Sequence, residues 1–294
     1  MSSEDKYQAP SEAGVMTSTY STPLGKFTCR ADDHVVRRAY ELSGGWDLNE
    51  TTFLCDQAFP EGRGALIDAG AHIGMVSIPA VRKHTGVICH AFEPHPMTAW
   101  FLRHNAAQND VAERYHVHEL ALVDEVMPEP VGARGKCRVE RTFYPSDADS
   151  VDGRLEKDPG APGAFGEERR TRRYVEVSTL ERELDADKLQ HPLVLKIDVQ
   201  GMEAAVLRGA LYLDPDIVLM EVWPYGLARA GETVETVTKA LGVLRPWSTV
   251  LFGGKAHLRR NRHVHEYVVE TLQRLDWSDP RCVLSLVVAK GPLA

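Results

Sequence analysis

Paired cysteines are missing from this sequence: Cys29, Cys55, Cys89, Cys137 and Cys282 are far apart, and none belongs to a C-x-x-C pair. That pattern excludes a disulfide framework and a zinc knuckle, and it fits a reducing compartment, so a cytoplasmic location is expected. No uninterrupted apolar run approaches the roughly 18 residues that a membrane span needs. The opening stretch MSSEDKYQAPSEAGVMTSTYSTP lacks both a basic n-region and an apolar h-region. It reads as a polar, flexible tail over residues 1–23 rather than a secretory signal. Basic charge is in deficit, with 34 Lys and Arg against 42 Asp and Glu for a net charge of −8. A polyanion is therefore a poor main partner, because its affinity would rest on phosphate neutralisation. The expected partner is a small molecule, with neither nucleic acid nor a membrane; oligomeric state is unreadable, a homodimer being compatible.

What is present is an ordinary globular composition, 43% apolar and 26% charged over 294 residues, enough for one large α/β domain with appendages. Apolar runs at 64–70, 86–94, 115–123, 193–199 and 216–223 alternate with amphipathic segments. Near-continuous Val, Ile and Leu predicts strands covered on both faces, as in a mostly parallel sheet with helices on either side. Runs at 248–252 and 282–290 bring the expected strands to seven. Ahead of them, residues 24–63 form an N-terminal flap: a short strand (24–30), a capped helix (32–42) and a helix in WDLNETTFLCDQAF. Residues 125–173, rich in Pro, Gly, Asp and Arg, break the rhythm and read as an inserted loop or lid. Its run EERRTRR reads as solvated, and His116/His118 and His263/His265 as polar strand faces; no metal site is expected.

The strongest motif is ALIDAGAHIGMVSI, an apolar strand ending at Asp68 and followed by Gly70, Ala71, His72 and Gly74. Small residues at such a turn let the backbone approach a cofactor, and a helix N-terminus there would offer free N–H groups. The first, third and sixth places from Gly70 hold Gly70, His72 and Met75, so a dinucleotide fingerprint is absent; so is a GxxxxGK[ST] phosphate loop. An acidic turn repels a pyrophosphate and welcomes a cationic amino acid, which suits S-adenosyl-L-methionine. At the next strand end, Glu93, followed by Pro94, is placed to accept both hydroxyls of a ribose. The run LVLKIDVQGMEAAVLRGA then sets Lys196 and Asp198 on one side of a buried strand, with Asp198 at its tip. Glu221, in MEVWPY, is a second acid on the acceptor side. WPY resembles the (D/N)PPY loop of base methyltransferases but follows the wrong strand.

DAGAHIG, AFEPHP and KIDVQGMEAAVLRGA together resemble the FkbM family of methyltransferases, over roughly residues 25–225. The resemblance implies a class I, Rossmann-like methyltransferase fold: a seven-stranded, mostly parallel sheet, the last strand antiparallel, with helices on both faces. The S-adenosylmethionine-binding domain would span 64–294. It also implies O-methylation of a hydroxyl on a sugar or polyketide-type natural product. By position, Asp68, Gly70, Ala71, His72 and Gly74 would line the methionine side of the cofactor, Glu93 and Pro94 the ribose, and Glu119, Leu120 and Ala121 the adenine. Asp198 would face the methyl group, with Asp198, Lys196 and Glu221 as the candidate catalytic residues and Asp198 or a nearby histidine as base. Two positions depart from the family pattern: DVQG stands for the usual DVEG, and His72 for the usual Asn. A carboxylate or peptide acceptor, an NAD(P)-dependent oxidoreductase and a non-catalytic cofactor-binding protein are the competing readings.

Overall fold

The protein is described here by a computed structural model covering residues 14–125, 139–145, 153–155, 170–243, 249–252, 255–258, 261–291 and 293. An antiparallel hairpin comes first, β1 (Thr17–Thr22) and β2 (Gly25–Arg30), in register Thr17 to Arg30. Residues 17–22 are thus strand rather than flexible tail. Every second residue of TSTYST is half-buried, and β2, with Phe27 and Cys29 buried, supplies the partner. Helix α1 (His34–Ser43) follows, its first turn capped by the Asp33 carboxylate accepting from the Val36 N–H at 3.0 Å. Helix α2 (Leu48–Asp56) completes the N-terminal flap.

The core then alternates strands and helices: β3 (Arg63–Ala69), α3 (Ser77–Lys83), β4 (Gly86–Phe92), α4 (Pro96–Gln108) and β5 (Tyr115–His118). The next run is β6 (Ala121–Leu122), β7 (Val139–Phe143), β8 (Arg173–Ser178), α5 (Leu180–Glu183), β9 (Leu193–Ile197), α6 (Glu203–Gly209) and β10 (Ile217–Val222). Helices α7 (Pro224–Arg229) and α8 (Val234–Val243) lead to β11 (Thr249–Phe252), β12 (Lys255–Leu258), α9 (Asn261–Arg274) and β13 (Leu284–Ala289).

The main sheet has eight strands in the order β12-β11-β13-β10-β9-β3-β4-β5. Its five central strands from β5 to β10 are parallel, and β13 runs antiparallel to both β10 and β11. The seven expected strands are all present, and the chain's last one is antiparallel; the count is eight because β12 folds back on β11. Its short sequence, KAHL, carries too little apolar signal to be read as a strand. Successive residues of β3 alternate between two cores: Leu66 packs with Phe53, Ile78 and Phe101, while Ala65 and Ile67 pack with Val206, Val237 and Leu272. Both faces of the sheet are therefore buried under helices, which is why its strands lack a polar side.

Three local expectations change. The run 115–123 is two strands: β5 ends at His118, and β6 joins β8 and β7 in a separate three-stranded sheet. Strand β7 lies within the stretch read as an inserted loop; much of that stretch is outside the described residues. His263 and His265 belong to α9, not to a strand, since two histidines define no period.

The hairpin is held on the core by two buried amides, Asn105 and Asn109, the latter accepting from the Lys26 N–H at 2.9 Å and donating to the Lys26 carbonyl at 2.6 Å. Asn105 of α4 accepts from the Thr28 N–H at 2.8 Å and donates to the Thr28 and Ile73 carbonyls at 3.1 and 2.8 Å. We expect Asn105→Ala to destabilise the protein by about 1–3 kcal/mol in urea denaturation, as buried backbone groups lose their partner. Amide exchange should accelerate in β2 more than in β3; uniform acceleration would contradict this anchoring.

Candidate active site

After β3, β4 and β5 the chain returns to place β9 on the other side of β3, so the strand order reverses between β3 and β9. A crevice opens outside the carboxyl ends of strands at such a point. The crevice here is an elongated cavity that follows the sheet edge: Leu120 and Ala121 beyond β5, Glu93 and Pro94 beyond β4, Gly70, Ala71 and His72 beyond β3, Asp198 beyond β9, and Glu221 in β10.

Gly70 sits where the tips of β3 and β9 almost touch. A side chain there would place its Cβ 1.8 Å from the Asp198 carbonyl oxygen, and its φ is +78°. No residue but glycine fits. The N–H groups of Gly70 and Ala71 both donate to the Phe92 carbonyl at 3.0 Å, so they are not free for a ligand. Nor does a helix begin at this turn, since α3 starts only at Ser77. Gly74 is not on the cavity wall: its added Cβ would meet Ile78 Cδ1 at 2.4 Å, so its smallness serves packing.

Glu93 is fixed by two backbone donors, His72 N–H to Oε2 at 3.1 Å and His95 N–H to Oε1 at 2.9 Å. Burial pushes its carboxyl up to about 7 against the pull of those donors. His72 holds φ +51°, a left-handed conformation in which Asn and His are both over-represented. This explains how His can occupy an Asn position. Burial pushes its imidazole down to about 4, leaving it neutral.

Asp68 is also buried but does not reach the cavity. Its carboxylate faces Lys196 Nζ at 3.0 Å, behind the turn, and so Asp68 and Glu93 do not share the crevice. Lys196 donates to the Gly70 carbonyl at 3.3 Å and lies 3.8 Å from Asp198. Burial opposes its charge, but Asp68, Asp198 and Glu50 outweigh that cost and raise its pKa. A permanently charged Lys196 positions other groups and cannot serve as a base. Glu119 likewise turns outward, to Arg103 at 3.0 Å.

At the β9 and β10 end, Gln200 donates from Nε2 to Asp198 Oδ1 at 2.8 Å and to Glu221 Oε1 at 3.2 Å. A glutamate at this position would add a carboxylate to two others; the amide joins them. Burial, then Asp198, holds the Glu221 carboxyl well above the usual carboxylate range. Asp47 and Trp46, just before α2, close this end of the cavity, and Arg30, Phe143 and Arg173 line other parts of the wall. Asp47, Arg30, Phe143 and Arg173 were not foreseen: they lie in the flap and around the insertion, where no motif marks them, and Arg173 belongs to the run read as solvated; Trp46 fits its sequence reading as core or pocket wall. Among the described residues, no group of three or more His, Cys, Asp or Glu side chains is arranged to hold a metal, and no helix is long and apolar enough to cross a membrane.

Residues 68–226, more than half of the chain, match the family described as the methyltransferase FkbM domain. The chain belongs to the FkbM methyltransferase family. S-adenosyl-L-methionine is the methyl donor that this membership brings. A segment of 80 residues is 41% identical to the 31-O-demethyl-FK506 methyltransferase FkbM of Streptomyces tacrolimicus, covering 27% of this chain and 26% of that relative. The match thus spans about a quarter of the relative's length. Among solved structures, an O-methyltransferase from Bacillus cereus in complex with SAH is 11% identical, with 88% of this chain and 98% of that chain covered and a TM-score of 0.42. TYW2 of Pyrococcus horikoshii in complex with MeSAdo is 13% identical, with 94% and 72% covered and a TM-score of 0.45. Likenesses this distant have no bearing on the site.

Glu93 and the Gly70 turn, which lies too close to β9 for any side chain, both border the cavity. The buried pair beneath them is testable by a double-mutant cycle. Lys196→Met should cost about 3–5 kcal/mol in urea denaturation, because Asp68 is left charged and unpaired. Adding Asp68→Asn should recover part of that loss; strictly additive costs would show that the two charges are not coupled.

Proposed function

We propose that this chain is an S-adenosyl-L-methionine-dependent O-methyltransferase acting on a hydroxyl of a small molecule, of the sugar or polyketide kind, in natural-product biosynthesis. The observation that carries the reading is the polarity of the cavity along the sheet edge. One end offers a lone, backbone-held carboxylate, Glu93, suited to a ribose diol. The other gathers Asp47, Asp198, Gln200 and Glu221, suited to hydroxyl donors. The printed name of the Streptomyces relative, a 31-O-demethyl-FK506 methyltransferase, supports a hydroxyl oxygen as acceptor.

When bound, the cofactor supplies an electrophilic methyl on a sulfonium sulfur. Glu93 accepts the ribose hydroxyls, with Pro94 beside it and Leu120 and Ala121 flanking the adenine. Gly70, Ala71 and His72 border the methionine part. Asp198 would face the transferred methyl and orient the acceptor, Lys196 fixes Asp198 from behind, and Glu221, whose carboxyl burial holds well above the usual carboxylate range, lies toward the acceptor side. Alignment of donor and acceptor supplies much of the rate, about 7–11 kcal/mol in well-oriented systems.

The acidic far end disfavours a carboxylate acceptor through like-charge repulsion. A dinucleotide is disfavoured because the Gly70 and Ala71 N–H groups are turned onto Phe92 and cannot cradle a pyrophosphate. Turnover against hydroxylated metabolites separates an enzyme from a non-catalytic binder.

Calorimetric titration of S-adenosylmethionine tests the ribose assignment. Glu93→Ala should weaken binding at least about tenfold, or about 1.4 kcal/mol. In the wild type, affinity should rise as pH passes upward through about 7, where burial has placed the Glu93 carboxyl, because the ionised form is the better acceptor for two hydroxyls. Unchanged affinity in the mutant would remove Glu93 from the site.

A further inference from the structure

Aspartate immediately before a helix ordinarily caps it, its carboxylate accepting from the first exposed N–H groups. Asp47 precedes α2 and makes no such bond, and its backbone is held at φ 40° and ψ 54°, in the left-handed region. Non-glycine residues in that region are uncommon, and they concentrate where a site requires a particular aim. Instead of capping α2, the Asp47 side chain lines the acceptor end of the cavity together with Trp46, Asp198 and Glu221.

The neighbouring acids are already engaged. Glu50, one turn along α2, takes a hydrogen bond from Ser285 Oγ at 2.8 Å. Asp198 takes the Gln200 amide and lies near Lys196. Glu221 takes the other side of the same amide, and Glu203 accepts from the Gly201 N–H at 2.9 Å. Among the described residues, the Asp47 carboxylate has only the adjacent Trp46 side chain as a hydrogen-bond partner, while its backbone carbonyl accepts from the Thr51 N–H at 2.9 Å.

We propose that Asp47 is a catalytic residue whose carboxylate takes the proton of the acceptor hydroxyl, beside Asp198. This rests on the methyl-transfer reading above. The acceptor O–H bond breaks toward Asp47, which becomes the neutral acid. The oxygen forms the bond to the methyl carbon, and the electron pair of the broken C–S bond stays on sulfur. A cationic donor and a carboxylate thereby become a neutral thioether and a neutral acid, so charge balances.

Burial, with Asp198 adding and Lys196 opposing, pushes the Asp47 carboxyl up to about 6. It is then ionised at neutral pH yet close enough to it for efficient proton uptake. The charged and titratable groups facing it are Glu50 on its own helix, Lys196 and Asp198 from β9, and Glu221 from β10.

Two cofactor analogues read the acceptor end without the acceptor. S-adenosylhomocysteine lacks the methyl, whereas sinefungin carries an ammonium group in its place. Both are titrated calorimetrically into wild type and Asp47→Asn. We expect the substitution to weaken sinefungin about tenfold or more at neutral pH, through loss of a charged partner, and to leave S-adenosylhomocysteine within about twofold. In the wild type, the preference for sinefungin should shrink as pH falls through about 6, and this limb should be missing from the variant. Equal effects on the two ligands, or none on sinefungin, overturn the assignment. Should Asp47→Asn fail to fold, the wild-type pH limb decides, and a flat preference overturns it. If neither ligand binds the wild type, the methyl-donor reading fails instead.

Discussion

The buried ammonium of Lys196 is the charge on which the carboxyl edge of the sheet depends. It reaches Asp68 on β3, the Gly70 carbonyl at the turn and Asp198 at the tip of β9, and so ties together the two strands between which the crevice opens. Burying a charge costs several kcal/mol unless partners surround it. Here the partners are carboxylates that would themselves be unstable without the cation. The arrangement leaves Asp198 oriented, the Gly70 turn pinned, and Asp68 behind the cavity wall.

One cation does not balance the acids around it. Asp47, Glu50 and Asp198 lie within electrostatic reach of Lys196, and Glu221 within reach of those three acids; burial raises Asp47 to about 6, Glu50 to about 7 and Glu221 well above the usual carboxylate range. The acid end of the cavity therefore gathers carboxyl groups whose protons burial holds more tightly than usual. Gln200 belongs to this balance, since its amide donates to two carboxyl groups at once where an acid would add repulsion.

Much of the scaffold was legible because its signals are local. Apolar runs at 64–70, 86–94, 193–199 and 216–223 became β3, β4, β9 and β10, since a strand covered on both faces has no polar side to interrupt it. The DAGAHIG turn was legible for the same reason: left-handed backbone and close approach leave glycine as the residue at Gly70. Signals failed where a partner distant in sequence decided the outcome. Strand β1 forms because β2 pairs with it, β6 leaves the main sheet to pair with β8, and Gly74 and Glu119 turn to packing and to Arg103 rather than to the cavity.

The sequence by itself determined the α/β class, the order of the central strands along the chain, the family pattern and the acid Glu93 at a strand end, each encoded within a few neighbouring residues. Tertiary structure alone decided which of those acids meet. Asp68 and Lys196 are 128 positions apart, and they pair because β9 returns to lie beside β3. Asp47 comes from the flap, where composition marks nothing, and reaches the cavity only through the way α2 packs against α3 and binds Ser285 of β13 through Glu50. A side chain's charge is written in the chain, but its partner, burial and protonation follow from what folding brings within a few ångströms.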